Sequence, residues 1–270
     1  MKKNTRVLLL CLALSTVHLA KPITFFENFT WWWDNTKEEI TTHEQTLTPG
    51  CTISVSNKKG DVKISTWNKN KIVIEVTKKG TDEEIKLTKV ETLYTKHGVS
   101  IKTIPLKVDR LCAVDYTLII PNTATLTMIE TGKGTISIKN VSTATRAHAE
   151  YGAINLDSVT NSVQVSTKQG GITIHTNQDL KSTDKIVALT ECGSIKLEIP
   201  SDTNATLYAK TNKGTVTSEQ PITLEPRTLK ICQASLAELK RDIRGTLGHG
   251  GGATIKLQTS RGNVRVVEAA

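Results

Sequence analysis

Thr167-Lys-Gln-Gly170-Gly-Ile172-Thr-Ile174 carries a pattern that recurs along most of the chain and from which the fold can be predicted. Its general form is Thr-x-x-Gly-x-(Ile/Val)-x-aliphatic. Asn57 and Ala149 replace the threonine in two copies, and the copy after Thr211 is shorter. A recurring unit of this kind is the signature of a repeat protein. The glycines of the seven copies are Gly60, Gly134, Gly152, Gly170, Gly193, Gly214 and Gly262.

Aliphatic and polar residues alternate on both sides of each glycine, as in a strand with one buried face. Around Gly170, Val163 and Val165 lie seven and five residues before the glycine, and Ile172 and Ile174 lie two and four residues after it. The buried positions are thus odd before the glycine and even after it, so the chain must bend there. Glycine suits a bend because it accepts positive φ. Each copy is predicted to be a strand, a corner and a second strand.

The spacing of the repeats favours a stack of coils. From Gly134 to Gly214, successive glycines are 18 to 23 residues apart. A unit of about 20 residues fits one coil of a β-solenoid, in which equivalent side chains stack about 4.8 Å apart. Aromatic residues make up only 4% of the chain, which suits a thin core of Ile, Val, Ala and Thr. The sequence predicts an all-β, parallel β-solenoid, with an antiparallel β-sandwich as the alternative.

The first residues have the pattern of a secretory signal peptide. Lys2, Lys3 and Arg6 precede an apolar run at residues 7–19, and Ala20 is the expected cleavage position. This run is shorter than the roughly 20 apolar residues of a membrane-spanning helix. We therefore expect a signal peptide at residues 1–20, an aromatic segment at 21–43 and a solenoid domain at 44–270. Export to the periplasm, the cell surface or the medium is expected.

The chain is basic, with 35 Lys and Arg against 26 Asp and Glu, and its formal charge falls from +9 to +6 without the first twenty residues. This balance favours acidic partners only weakly. A lysine-rich window surrounds Trp67. One interpretation is that it forms a basic stripe that binds an anionic glycan, lipid headgroups or nucleic acid. The alternative is that these lysines simply occupy the outward, polar positions of strands, where they also discourage pairing with the strand edges of other molecules. A single tryptophan argues against nucleic acid. The lysines of this window are Lys58, Lys59, Lys63, Lys69, Lys71, Lys78 and Lys79.

A short segment before Asp34 holds six of the eleven Phe, Trp and Tyr residues. Such rings favour contact with a membrane surface or a partner protein. They could instead cover the open end of the solenoid beside Ile53 and Val55, since terminal repeats of such folds need a cap. Both interpretations stay open. The six aromatic residues are Phe25, Phe26, Phe29, Trp31, Trp32 and Trp33.

No catalytic residue, metal ligand or cofactor site is predicted. The histidines are scattered, no nucleophile elbow is present, and the acids Asp157, Asp179 and Asp202 are dispersed. Residues 221–252 interrupt the repeat, and the capping-box form of residues 235–238 indicates a short helix that Gly245 ends, or a loop. Four cysteines after the signal peptide match no zinc spacing, which leaves free thiols and disulfides open. They are Cys51, Cys112, Cys192 and Cys232.

The most specific stretch runs Val55-Ser-Asn57-Lys-Lys-Gly60-Asp-Val62-Lys-Ile64-Ser-Thr-Trp67. With the closing repeat at Gly262, it resembles the bacterial "putative adhesin" family of β-strand-repeat proteins, over roughly residues 44–267. The resemblance implies a right-handed, single-stranded β-helix without catalytic residues. We expect an exported, non-enzymatic envelope or surface protein, an adhesin or scaffold for an envelope, glycan or protein ligand. A periplasmic partner in envelope-stress signalling and a polysaccharide-processing β-helix enzyme are the alternatives.

Overall fold

The computed structural model describes residues 36–107, 109–178, 180–226 and 240–269. These ranges contain 21 strands and one short helix, α1, at Asp82–Lys86. The predicted signal peptide, the six aromatic residues and the predicted helix at 235–238 lie outside the described residues. The strands are β1 Lys37–Thr46, β2 Thr52–Lys59, β3 Val62–Trp67, β4 Lys71–Gly80, β5 Thr88–Thr95, β6 Gly98–Pro105, β7 Ala113–Pro121, β8 Thr125–Lys133, β9 Ile136–Lys139, β10 Thr145–Tyr151, β11 Ile154–Asp157, β12 Val163–Gln169, β13 Ile172–His175, β14 Lys185–Cys192, β15 Ile195–Ile199, β16 Ala205–Lys213, β17 Val216–Ser218, β18 Ile222–Leu224, β19 Asp242–Leu247, β20 Ala253–Arg261 and β21 Val264–Glu268.

The strands form two long sheets that share one core. Within the described ranges, the ten-stranded sheet has the order β1-β4-β7-β3-β9-β11-β13-β15-β21-β17. The eleven-stranded sheet has the order β18-β19-β16-β20-β14-β12-β10-β8-β2-β6-β5. Each repeat places the strand before its glycine in the eleven-stranded sheet and the strand after it in the ten-stranded sheet. The fold is therefore all-β and solenoid-like.

Strands from neighbouring repeats pair in parallel, whereas antiparallel pairs lie toward the ends of the sheets. For example, β10 pairs with β12 in parallel, and β11 pairs with β13 in parallel. The antiparallel pairs are β1–β4, β4–β7, β5–β6, β16–β19 and β18–β19. An antiparallel meander would pair the strands of adjacent repeats in antiparallel fashion. Here the strands of adjacent repeats pair in parallel.

The predicted burial register is confirmed. Val163 and Val165 before Gly170 have 2% and 1% of their surface exposed, and Ile172 and Ile174 after it have 1% and 0%. The other repeats bury the corresponding positions with two exceptions: a register shift in β8 buries Leu126 in place of Thr127, and Ser218 is partly buried. One continuous cluster of aliphatic side chains runs between the two sheets.

The order of the coils in space differs from their order in the chain. The coil of β20 and β21 lies between that of β14 and β15 and that of β16 and β17. The first coil, β2 and β3, lies between β6 and β7 on one side and β8 and β9 on the other. Ile53 and Val55 are therefore interior, with 0% and 1% exposed, and no open core lies beside them. The expectation that an open end of the solenoid begins there is wrong, because the later strands β6 and β7 cover that coil.

Non-repeat segments flank the coils toward the ends of the stack. Thr81 begins α1 with a capping box in which its hydroxyl accepts from Glu84 N and the Glu84 carboxylate accepts from Thr81 N. Ile85 on this helix is only 8% exposed and joins the core. Near the other end, Gly245 lies inside β19, where a Cβ would come within 2.3 Å of the Thr223 carbonyl oxygen. Gly245 therefore belongs to a strand, and the prediction that it ends a helix is wrong.

Each corner glycine is required by both conformation and space. Gly134 has a φ of 147°, and a Cβ on it would lie 2.0 Å from the Gly60 carbonyl oxygen in the adjacent coil. Gly262 has the same φ, and its Cβ would lie 2.1 Å from the Gly193 carbonyl oxygen. No side chain fits at such a distance, so these corners stack backbone directly on backbone.

The threonine of the repeat binds the glycine of the adjacent coil. Its hydroxyl donates to that glycine's carbonyl oxygen, which explains why the motif pairs these two residue types. Where Asn57 replaces it, the side-chain amide donates to the Gly60 and Val114 carbonyls at 3.1 and 2.7 Å. Ala149 has no group to donate. The threonine–glycine bonds are Thr131 to Gly60 at 3.0 Å, Thr167 to Gly152 at 3.1 Å, Thr190 to Gly170 at 3.1 Å, Thr259 to Gly193 at 2.8 Å and Thr211 to Gly262 at 2.8 Å.

Ile172 and Thr173 provide a test of the register. Ile172→Asp places a carboxylate in the core and should lower the free energy of unfolding by about 4 kcal/mol or more. Thr173→Asp places it on the outer surface, where a change within about 0.5 kcal/mol is expected. Urea unfolding of both variants measures the difference. Equal losses of stability would contradict the register.

Ala149 offers a gain-of-stability test of the threonine ladder. Ala149→Thr should supply the missing donor to the Gly134 carbonyl and raise the free energy of unfolding by about 1 kcal/mol. Thr167→Val keeps the shape but removes the donor to Gly152, and should lower it by about 1–2 kcal/mol. The two variants are compared by urea unfolding. If the Thr167→Val variant were as stable as the parent, the hydroxyl would contribute nothing.

Candidate functional site

The lysine-rich window does not form one basic stripe, because β1 brings carboxylates against β4. Lys71 Nζ lies 2.6 Å from Glu44 Oε1, and Lys78 Nζ lies 3.5 Å from Glu39 Oε1. The hydrogen bond from Lys71 lowers the pKa of Glu44. Strands β1 and β4 are antiparallel neighbours, so the acids of one strand face the lysines of the other.

Lys79 is also paired. Its Nζ lies 3.0 Å from Asp115 Oδ2 and 3.8 Å from Glu38 Oε1. The hydrogen bond to Asp115 raises the pKa of Lys79. Its charge is therefore compensated within the fold, as are those of the other two β4 lysines.

The remaining lysines of the window point to different places. Lys69 lies over the Trp67 ring, 4.8 Å from its centroid, as in a cation–π contact. Lys58 and Lys59 are exposed at the end of β2 in the eleven-stranded sheet, whereas Lys63 is exposed on β3 in the ten-stranded sheet. The chain turns a corner between them, so these predicted binding residues do not share one surface. Trp31, Trp32 and Trp33 lie outside the described residues, and their binding role stays a prediction.

The outer face of the ten-stranded sheet carries charges that pair with one another. His175 Nδ1 lies 3.0 Å from Asp157 Oδ1, and Lys139 Nζ lies 3.7 Å from Asp157 Oδ2. The hydrogen bond from His175 is the main cause of the lowered pKa of Asp157. Lys196 and Glu198 form another pair at 2.5 Å. Exposed pairs of this kind contribute little to stability.

A Ser–His contact lies on the outer face of the eleven-stranded sheet. His148 Nδ1 and Ser166 Oγ are 2.8 Å apart on the parallel neighbours β10 and β12. Both residues lie four positions before a corner glycine, so the repeat spacing could have predicted this contact. Ser166 lies in mid-strand on an open sheet surface, unlike the sharp turn that presents a nucleophile in an elbow.

The same face carries a straight row of side chains from six adjacent strands, which we call the cationic row. Five of its members lie six residues before a corner glycine, and Arg244 on β19 continues the row. Each member is the direct cross-strand partner of the next, so all of them point outward from the sheet. In spatial order the cationic row is Arg146, Gln164, Val187, Lys256, Tyr208 and Arg244.

Two shallow depressions lie along this face and share Lys256 and Gln258. One, of about 390 Å³, is lined by Tyr208, Lys210 and Arg244 as well as these two residues. The other, of about 350 Å³, adjoins it toward His148. Sequence reasoning missed the cationic row because Lys256 and Tyr208 are distant in the chain and meet only through the exchanged coil order.

Among the described residues, the cations of this face outnumber its acids. Lys256 is exposed, and no carboxylate of the described ranges lies within ion-pair distance of it. Asp242 is the acid of the first depression, at 3.4 Å from Arg244 Nε and 4.0 Å from Lys210 Nζ. This face therefore combines an unpaired lysine with an exposed tyrosine, and within the described ranges no exposed tyrosine lies on the ten-stranded sheet.

No group of three or more potential metal ligands occurs among the described residues. None of their helices is long and apolar enough to cross a membrane. Cys51, Cys112 and Cys192 are free thiols, and Cys232 lies outside the described ranges. Burial raises the pKa of Cys51.

The family comparison matches this architecture to a described family. The Toastrack DUF4097 family matches residues 17–267. The chain belongs to the Toastrack DUF4097 family. The resemblance to a β-strand-repeat family of unknown function, found in the sequence, is thereby confirmed. A comparison with curated proteins finds no match.

Several solved structures are similar to this Toastrack chain at low identity. A "putative cell adhesion protein" from Clostridium sporogenes is 11% identical, with a TM-score of 0.47, over 86% of this chain and 100% of that one. A "putative adhesin" from Bacteroides fragilis is 11% identical, with a TM-score of 0.34, over 86% and 97% of the two chains. A "putative lipid binding protein" from Parabacteroides distasonis is 9% identical, with a TM-score of 0.30 and the same coverages.

The three thiols should differ in reactivity. Cys51 and Cys112 are buried, with 2% and 1% exposed, whereas Cys192 is partly exposed at a corner. Brief alkylation of the native protein should modify Cys192 and leave the other two intact until urea is added, because a buried thiol is inaccessible to the reagent. Peptide mass spectrometry measures the labelling. Rapid native labelling of Cys51 would contradict its buried position.

Proposed function

We propose that the protein is an exported, non-enzymatic component of the cell envelope or surface, an adhesin-type scaffold built as a right-handed, single-stranded β-helix. The cationic row on the outer face of the eleven-stranded sheet is the observation that supports a binding role. Its residues are held at fixed spacing by the hydrogen bonds between neighbouring strands, so the surface is organised before any ligand binds. Preorganisation of this kind lowers the entropic cost of binding.

The shape of this face favours binding over catalysis. Active sites are concave and exclude water, whereas the two depressions here are shallow and lie on an open sheet. His148 and Ser166 line the second of these depressions, so their contact lies on an open surface and not in an enclosed cleft. Backbone N–H groups that could stabilise an oxyanion are engaged in the parallel ladder of β10 and β12. These features support a scaffold that holds a ligand without transforming it.

Envelope binding tests the proposal. The purified full chain is mixed with isolated cell envelopes and sedimented, and the reducing and unsaturated sugar ends are assayed in the supernatant. Saturable co-sedimentation without new ends is expected. A globular protein of equal net charge serves as the control for non-specific attraction. Product formation that stops when one carboxylate is changed would identify an enzyme instead.

Cell fractionation tests export separately. The tagged full chain should be recovered from the periplasm, the cell surface or the medium. Recovery from the cytoplasm alone would contradict the proposal. A deletion of residues 1–20 provides the matched control, because it should abolish export if this segment is the signal peptide.

A further inference from the structure

We propose that the cationic row binds an acidic polysaccharide, a chain whose repeating sugars carry carboxylate or sulfate groups. This inference rests on the proposed binding function and names the ligand class and the residues of its site. The inference is based on the positive charge of the row, on the distances between its cations and on its single exposed aromatic ring.

Charge is the first requirement that this row meets. Arg146, Lys256 and Arg244 are exposed cations on one face, and Lys210 lies beside the row in the first depression. A guanidinium binds a planar carboxylate through two parallel hydrogen bonds, and an ammonium binds as a point charge. The contact of Asp242 with Arg244 Nε, at 3.4 Å, helps to orient this guanidinium beside Tyr208.

Spacing favours a linear polymer over a small anion. The row crosses five strand intervals, about 24 Å at roughly 4.8 Å per interval. Lys256 and Arg244 are two intervals apart, about 10 Å, and Arg146 is three intervals, about 14 Å, from Lys256. One small anion cannot reach all three cations, whereas an extended chain with a charge on successive sugars can. Once one sugar of the polymer is bound, its neighbours are held close to the next cations, so several weak contacts add up to a higher overall affinity.

Tyr208 supplies a non-ionic contact between two of the cations. It is 37% exposed and is the cross-strand partner of Lys256 on one side and Arg244 on the other. Its ring offers an apolar surface for the C–H face of a sugar, and its hydroxyl can bond to sugar hydroxyls. A sugar at Tyr208 would have its acidic substituents next to both cations.

Two other polyanions fit the row less well. A bilayer surface favours clusters of exposed apolar side chains beside the cations, but Val187 is partly buried and Tyr208 is the one ring of the row. Single-stranded nucleic acid favours successive aromatic platforms, which a single ring does not provide. The observations therefore favour the polysaccharide.

Polygalacturonate is the probe for the test, with neutral dextran as its control. Calorimetric titration of the full chain should give saturable binding to polygalacturonate, weakened by salt, and none to dextran. Lys256→Gln and Arg244→Gln should each raise the Kd about tenfold, since each removes a charge-assisted contact. Tyr208→Ala should raise the Kd about fivefold, since it removes the apolar surface for the sugar.

Lys63→Gln and Arg265→Gln are the matched controls. Each removes one exposed positive charge from the ten-stranded sheet and should change the Kd by less than about twofold, because this sheet lies outside the proposed site. Unchanged melting temperatures would show that all variants are folded. If the row variants and the control variants weakened binding to polygalacturonate equally, the effect would come from net charge alone, and the proposal would be overturned. Tighter binding to phosphatidylglycerol vesicles or to oligo(dT) than to polygalacturonate would also overturn it, in favour of a lipid or nucleic-acid surface.

The triple variant of Lys256, Tyr208 and Arg244 separates this inference from the proposed function. If the variant sediments with envelopes as the parent does, the scaffold function stands and the cationic row is not its site. If the parent itself fails to sediment, the proposed function fails, whatever its affinity for polygalacturonate.

Discussion

A hydrogen bond from a threonine hydroxyl to the glycine carbonyl of the adjacent coil holds five of the seven corners, and the corners set the geometry of both sheets. At each corner the backbones of adjacent coils approach so closely that no Cβ fits at the glycine. The corner carbonyl is then met by the threonine three residues before the glycine of the next coil. Thr131 and Thr259 make this bond in coils that are far apart in sequence. One contact therefore fixes the corner, the register of the ladder and the stacking of the coils.

Register at the corner determines what each face displays. Since every coil has an equivalent corner glycine, residues that lie the same number of positions from that glycine form straight rows across the sheets. The inward rows give the aliphatic core. The outward rows bring His148 next to Ser166 and Asp157 next to His175, each from repeats with the same phase. A rigid array of this kind suits the recognition of an extended ligand, because spacing along the row is set by the backbone and not by loop conformation.

Much of this organisation could be predicted from the sequence, and some of it could not. Alternation around Gly170 indicated the buried register, and the repeat spacing together with the family resemblance indicated the fold class. The binding residues were predicted less well, since Lys59 and Lys63 are close in the chain but lie on different sheets. The capping box at Thr81 was a readable signal for a helix that the sequence reasoning overlooked.

The corners, the inward and outward positions and the parallel stacking can all be derived from the sequence, because they follow from local steric limits and from one repeated hydrogen bond. Which coils are neighbours emerges only in the tertiary structure. The threonine–glycine bond has the same chemistry between any two coils, so it cannot select a partner. In this protein the antiparallel strand β19 occupies the outer edge of β16, and β20 inserts on its other side. That arrangement alone places Tyr208 between Lys256 and Arg244.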